Sequence, residues 1–274
     1  MPEQTFEDRF LSGRELYGDD FAQHEINEWF EDEREGYADL GQGEDGQDSA
    51  GFWYHAVNMR YGYKRLAGMR FRHALGIGSA WGNEFEQIAG QIDQLTILEP
   101  SDQLVSQQIG ELEPRYVKPH PSGTMPFDDA AFDLITCFGT LHHIPNVTHV
   151  VHEMGRVVQP GGHVLIREPI ISMGDWRAYR GTGLTRRERG IPLAILESAV
   201  KSAGLEIERK SYWNFPGTVR LGMALNVPTF NSPTLTMVDA IASRMLRANL
   251  RYHATTRWQK FRPTCVALEL RRPR

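Results

Sequence analysis

The apolar positions of this chain change period several times along its length. Short apolar runs at 73–77, 94–99, 132–138, 163–167 and 205–213, bounded by glycine or polar residues, predict buried strands. Between them, 83–92, 147–158 and 192–203 space their apolar residues three or four apart, which predicts helices with one buried face. Gly204 follows the last of these as the expected left-handed stop. The segment 102–109 predicts a short helix and 116–120 a weak strand. The turn Gln159-Pro160-Gly161-Gly162 should end one helix before the next strand begins. A last strand at 265–270 is interrupted by Glu269, and the interval before it carries a helical stretch at 235–250. Strands alternating with helices predict an α/β fold: a seven-stranded, mostly parallel sheet with helices on both faces.

The N-terminal part reads differently. Residues 1–49 are polar and acidic, with Phe10, Leu16, Phe21, Ile26, Trp29 and Phe30 spaced for one or two helices. The stretch 41–51, rich in Gly, Asp, Gln and Ser, predicts a loop. An aromatic segment, 52–69, places Trp53, Val57 and Tyr61 near a helical period. Two regions follow: a helical cap or substrate region at 1–69, and a sheet domain at 70–274 with a helical insertion at about 217–260.

Composition narrows the class. A net charge of −5 gives no reason to expect nucleic acid as a partner. The charge is uneven, with an acidic first fifty residues and a basic segment at 244–274. That basic tail suits peripheral contact with an anionic membrane, although a solvated surface explains it equally. Two cysteines in apolar runs, Cys137 and Cys265, read as buried free thiols of a reducing compartment. The N-terminus lacks the basic and apolar regions of a signal peptide, and no apolar run would span a bilayer, so the expected location is cytoplasmic.

The chemistry begins at Leu75-Gly76-Ile77-Gly78-Ser79-Ala80-Trp81-Gly82, a strand running into a glycine-rich turn, followed by a strand ending on Glu99. Bare glycine backbone admits close approach by a ligand, and a carboxylate at the next strand end can accept hydrogen bonds from ribose hydroxyls. The pattern suits a nucleoside-bearing cofactor.

Further blocks carry a resemblance. Pro126-Phe127-Asp128-Asp129-Ala130-Ala131-Phe132-Asp133-Leu134-Ile135 runs into Thr140-Leu141-His142-His143-Ile144-Pro145, and Glu153-Met154-Gly155-Arg156-Val157-Val158-Gln159-Pro160-Gly161-Gly162 follows. With the glycine turn and Glu99, residues 70–170 resemble a class I S-adenosylmethionine-dependent methyltransferase of the small-molecule branch. The segments 183–192 and 252–270 look like methyltransferases found with bacterial polysaccharide biosynthesis. The resemblance implies a Rossmann-like domain that binds S-adenosyl-L-methionine and releases S-adenosyl-L-homocysteine. It places Gly76, Gly78, Ser79, Gly82, Glu99, Pro100, Thr124, Met125, Phe138, Gly139 and His143 at the cofactor. Two positions depart from the family pattern. Its usual acid at the end of the first strand is Gly76 here, and its middle turn glycine is Ala80, which would be strained in the left-handed region.

Methyl transfer to a hydroxyl needs a held acceptor, excluded water and a proton acceptor. His142 and Glu168, at the ends of the fourth and fifth strands, are the candidate catalytic residues. His142 and His143 are expected to point in different directions, and Glu168 equally suits an ion pair with Arg167. Trp53, Tyr54, His55, Asn58 and Tyr61 are candidates for the acceptor pocket. Arg177, Arg180, Arg186, Arg187 and Arg189 could bind an acceptor phosphate or carboxylate. No Cys/His metal cluster is visible, so no metal ligand is assigned; a Mg²⁺ held by scattered carboxylates stays open. The expected activity is O-methylation of a small molecule, sugar or glycan precursor. The alternatives are a non-catalytic partner protein that binds the same cofactor and a nicotinamide-dependent dehydrogenase. The oligomeric state is not legible.

Overall fold

The computed structural model describes residues 5–41 (backbone alone from 35), 52–174, 185 and 187–274. Its centre is a seven-stranded sheet of β1 (Ala74–Ile77), β2 (Leu95–Leu98), β3 (Arg115–Val117), β4 (Phe132–Phe138), β5 (Val158–Pro169), β6 (Glu206–Trp213) and β7 (Cys265–Arg271). The strand order is β3-β2-β1-β4-β5-β7-β6. All neighbours pair in parallel except β7, which lies antiparallel between β5 and β6.

Every residue of β1 and β2 is buried, as expected where apolar layers cover both faces of a parallel sheet. Alternate residues feed separate cores. Leu75, Ile77, Ile135, Cys137 and Ile166 join one; Ala74, Leu134 and Leu165 join the other. The first core packs under α3 (Val147–Val157) and α4 (Leu193–Ser202). The second packs under α2 (His55–Tyr61), a turn at Tyr63–Leu66 and the helical segment Asn83–Gln91. α1 (Gln23–Gly41) precedes α2, and α5 (Pro216–Ala224) and α6 (Pro233–Leu246) lie between β6 and β7. Strand order reverses between β1 and β4, so the chain leaves their carboxyl ends in opposite directions and opens a crevice there.

Several sequence expectations are corrected. No helix forms at 102–109. Leu104, Ile109 and Leu112 turn into the core there, the Ser106 N–H donates to the Tyr116 hydroxyl at 3.1 Å, and Ile109 bridges Leu112. Asn83–Gln91 is wound as a 3₁₀ helix, entered by short-range bonds from Gly82 N–H to the Ser79 carbonyl and from Phe85 N–H to the Gly82 carbonyl. The predicted helix at 52–69 splits at Gly62, where a Cβ would press to 2.8 Å from Leu165. The turn at 159–162 does not interrupt the chain: α3 passes straight into β5, and Gly161 and Gly162 exchange backbone hydrogen bonds with Arg272 beyond β7. Within the basic segment the strand expected at 265–270 does form, and Val266, Leu268 and Leu270 of β7 are core residues. The loop expected at 41–51 lies, apart from Gly41, outside the described residues.

Candidate active site

The turn after β1 is held by backbone conformation. Gly78, Ala80 and Gly82 have φ of 61°, 46° and 74°. A side chain at Gly78 would collide with Thr140, and one at Gly82 with Ile109. Ala80 adopts the left-handed region despite its Cβ, at a cost of about 1 kcal/mol. Both of its backbone groups are tied: its N–H donates to Glu99 Oε2 at 3.1 Å, and its carbonyl accepts from the Tyr116 hydroxyl at 2.9 Å.

Glu99 ends β2 as a buried carboxylate, 2% exposed. Burial pushes its carboxyl up to about 7, although the Ser101 and Ala80 N–H groups pull the other way. It borders a cleft whose walls include Gly78, Pro100, Met125, Gly139 and His143. Ile77, Leu98, Ser101 and Thr140 complete its floor, and Phe30, Glu33 and Arg34 of α1 form one rim.

The other expected cofactor residues lie outside that lining. Gly76 is buried inside the sheet, where a Cβ would meet the Phe85 ring at 2.7 Å. Ser79 turns inward and donates to Glu84 at 2.9 Å, and the Thr136 hydroxyl donates to the same oxygen at 2.7 Å. Glu84 thus brings a buried carboxyl to the space beside Gly76, and burial raises its pKa. Gly82 packs under Ile97 and Ile109. Thr124 is exposed and bonds to Ser122 and His149. Phe138 faces the second core, against Tyr63 and the Arg167 guanidinium.

Across the cleft, His142 and Glu168 meet. His142 Nδ1 lies 2.8 Å from Glu168 Oε2, while Glu168 Oε1 accepts the N–H groups of Thr140 and Leu141, each at 2.8 Å. Glu168 is fully buried and therefore holds the imidazole in one orientation. The other ring nitrogen, Nε2, is 3.4 Å from Glu188 Oε1. Desolvation lowers the His142 pKa, but the two carboxylates outweigh it and lift the ring to about 9. Arg167 does not pair with Glu168: it leaves the opposite face of β5 and stacks on Tyr54 at 4.5 Å, Phe138 at 5.1 Å and Trp213 at 5.2 Å.

The two histidines do not diverge as expected. Their rings lie 4.1 Å apart, and His143 Nδ1 contacts Glu33 Oε2 at 2.7 Å. Burial and the neighbouring His142 charge hold His143 below its ordinary pKa. Ligand atoms of His142, His143 and Glu188 converge within 4.8 Å, a donor set suited to a divalent transition ion. The sequence reading assigned no metal ligand; Glu188 escaped it because only the fold brings that residue to the histidines.

Sequence reasoning also missed Glu33 and misjudged the arginines. Arg189 is fully buried and donates to the carbonyls of Tyr17 at 2.8 Å, His142 at 3.1 Å and Pro145 at 2.9 Å. Arg187 pairs with Asp32 at 2.6 Å. These two pin the histidine turn to α1 and the segment before it, so neither stands as an open anion site; Arg177, Arg180 and Arg186 lie outside the described residues. Of the aromatic stripe, Asn58 and Tyr61 are buried, His55 lies 3.3 Å from Glu86, and Trp53 and Tyr54 remain exposed.

Residues 75–166, from the glycine turn to the middle of β5, match the family model described as "Methyltransferase domain". This third of the chain carries a methyltransferase domain. Two curated relatives agree. The 27-O-demethylrifamycin SV methyltransferase of Amycolatopsis mediterranei is 38% identical over 94 residues, covering 31% of this chain and 33% of the relative. The ubiquinone biosynthesis O-methyltransferase of Alkalilimnicola ehrlichii is 28% identical over 121 residues, covering 40% and 48%. The chain thus spans a third to a half of these relatives' lengths. The fold matches the N-methyltransferase NodS from Bradyrhizobium japonicum in complex with S-adenosylhomocysteine, at 12% identity and TM-score 0.52, covering 89% of this chain and 99% of that one. It also matches the [4+2]-cyclase SpnF, at 16% identity and TM-score 0.50 over 80% of each chain. This methyltransferase fold therefore does not by itself specify the reaction.

Proposed function

We propose that this protein methylates a hydroxyl group of a small molecule, with S-adenosylmethionine in the cleft and His142 as the proton acceptor. The observation that carries the reading is the buried His142–Glu168 pair, whose 2.8 Å contact fixes the ring by Nδ1 and turns Nε2 toward Glu188, whose place the acceptor hydroxyl would take. The ring edge lies beside Gly139, a wall residue of the cleft. The named acceptors of the two relatives, a rifamycin and a ubiquinone precursor, support a hydroxylated ring or polyketide as the substrate class.

The cleft suits the cofactor on two counts. Gly78 lines it as bare backbone, with Thr140 packed where a side chain would sit, and Glu99 offers a carboxylate beside it that ribose hydroxyls can satisfy. Gly78, Glu99, Pro100, Met125 and Gly139 would hold the nucleoside and its chain. The cofactor supplies a methyl group already activated on a sulfonium. His142 accepts the acceptor's proton at Nε2, and Glu168 stabilises the imidazolium that results. Glu188 holds the same nitrogen in this structure, so it must yield to the acceptor hydroxyl. The region before β1 supplies the cap: Phe30, Glu33 and Arg34 exclude water from the open side.

The second reading, a non-catalytic cofactor-binding protein, draws on Gly76 standing in place of the family acid. One experiment separates them. Calorimetric titration with S-adenosylhomocysteine, with NADH as control, is followed by transfer of labelled methyl to hydroxylated quinones, polyketides and sugars. Binding plus a labelled ether supports the enzyme; binding without any product across these classes supports the second reading; no binding defeats both.

A further inference from the structure

Ten of the fifteen large hydrophobic side chains exposed among the described residues lie between Leu221 and Phe261. They are not scattered. On α6, Leu235, Thr236, Asp239 and Ser243 face inward, so Val238, Ile241 and Met245, three and four residues apart, form an apolar stripe facing outward. α5 packs beside α6 and presents Met223, with Leu225 just beyond it, 75% and 58% exposed. The turn Trp258–Lys260 joins the same surface. Asn249, past the end of α6, donates to the carbonyls of Trp258 and Phe261 at 2.9 Å each, and Phe261 lies 6.3 Å from Phe215 at the start of α5.

The charge of this region is one-sided. Between 216 and 262 the only acid is Asp239, which is buried and accepts from the N–H groups of Asn214 and Phe215. Six exposed basic residues, Arg220, Arg244, Arg247, Arg251, Arg257 and Lys260, lie in the same stretch. A chain of net charge −5 has therefore gathered cations around its largest group of exposed apolar side chains.

We propose that the outer face of α5 and α6, with the turn at Trp258, docks on an anionic lipid surface. Cations flanking an apolar stripe match an interface of acidic headgroups over acyl chains. A second copy of this chain is a poor occupant, because a two-fold contact would set the basic residues against themselves with no exposed acid on the face to answer them. Met223, Met245 and Trp258, 75%, 76% and 80% exposed, are the most exposed large apolar side chains among the described residues. A bilayer accepts such side chains without matching their shape, which a protein partner must do. The face is tied to the sheet: the Phe230 ring between α5 and α6 stacks on Tyr54, and Tyr54 covers Arg167 on the face of β5 opposite Glu168. The docking does not rest on the hydroxyl-methylation reading.

The test is co-sedimentation of the full chain with vesicles of phosphatidylglycerol and phosphatidylcholine, compared with phosphatidylcholine alone. Strong pelleting with the first, lost at high salt, is the expected result. Arg244→Gln with Arg247→Gln should lower partitioning about fivefold for each charge removed. Trp258→Ala with Met245→Asp should abolish it. Calorimetric affinity for S-adenosylhomocysteine, measured on each variant, verifies that the site is still folded. The proposal is overturned by equal pelleting with both vesicle types, by variants that bind as well as the parent, or by a stable dimer that Met245→Asp dissociates. None of these measurements involves methyl transfer, so they succeed or fail independently of the enzymatic reading.

Discussion

The two walls of the cleft are built by different means. The wall after β1 and β2 is local: a turn of glycines whose shape comes from φ values of 61° and 74°, closed by one carboxylate at the next strand end. The wall after β4 is assembled from distant segments. Trp29 of α1 donates to the His143 carbonyl at 2.7 Å, Arg189 ties the His142 and Pro145 carbonyls of the turn to that of Tyr17, and Glu33, Glu168 and Glu188 surround the two rings. A backbone cradle can be reused for one common cofactor. A wall made of tertiary contacts can be altered piece by piece to fit a different acceptor.

The comparison is sharpest at His142. His142→Asn should lower turnover roughly 10²–10⁴-fold, the usual contribution of a positioned base, while leaving S-adenosylhomocysteine affinity unchanged. Equal losses in both would merge the two walls into one structural unit. The pH profile offers an independent check. A ring lifted to about 9 must lose its proton before it can act, so kcat/KM should rise with pH toward that value. Glu188→Gln should move the rise to lower pH. The same ring, raised above its ordinary 6.5, contributes stability that is fully present below that value and is lost as pH rises through about 9.

Arg189→Leu tests whether the β4 wall depends on its distant ties. It leaves buried carbonyls without donors and should cost about 3 kcal/mol, read from urea unfolding. A cost below about 1 kcal/mol would mean that the turn holds its own shape.

On the other wall, Glu99→Gln should weaken S-adenosylhomocysteine by roughly 1–3 kcal/mol in calorimetry, the worth of charged hydrogen bonds. It should also stabilise the free protein. A carboxyl held at about 7 in the fold, against 4.5 when unfolded, penalises folding fully above about 7 and not at all well below 4.5. The gain in Tm should therefore appear at alkaline pH and vanish in acid. The smallest effect belongs to Ala80→Gly, where relief of left-handed strain is largely offset by a looser unfolded chain, for a net change within about 0.5 kcal/mol.

The glycine turn was readable because its determinants are adjacent in the chain. Gly78, Gly82 and Glu99 signal their roles through residue type and spacing, and Gly78 and Glu99 do border the cleft. The pairing of His142 with Glu168 was half readable. Both residues could be named from their strand ends, but their 2.8 Å contact follows from the parallel register of β4 and β5, in which Phe138 lies opposite Arg167. Glu33, Glu188 and the burial of Arg189 left no local signal, since an acid on an acidic helix and an arginine in a basic segment look like solvated surface until the fold is known. The short helix expected at 102–109 failed for a related reason: its periodicity was real, but hydrogen bonds to Tyr116 and the pull of the core won over helical propensity.

By itself, then, the sequence determined the strand-and-helix alternation, the parallel sheet and the cofactor turn, because periodicity and glycine act on neighbours a few residues apart. Only the tertiary structure decided which carboxylates meet the histidines, which arginines are buried, and that the basic segment frames an exposed apolar face. Those are contacts between residues tens to more than a hundred positions apart, and their energies exist only once the chain has closed around them.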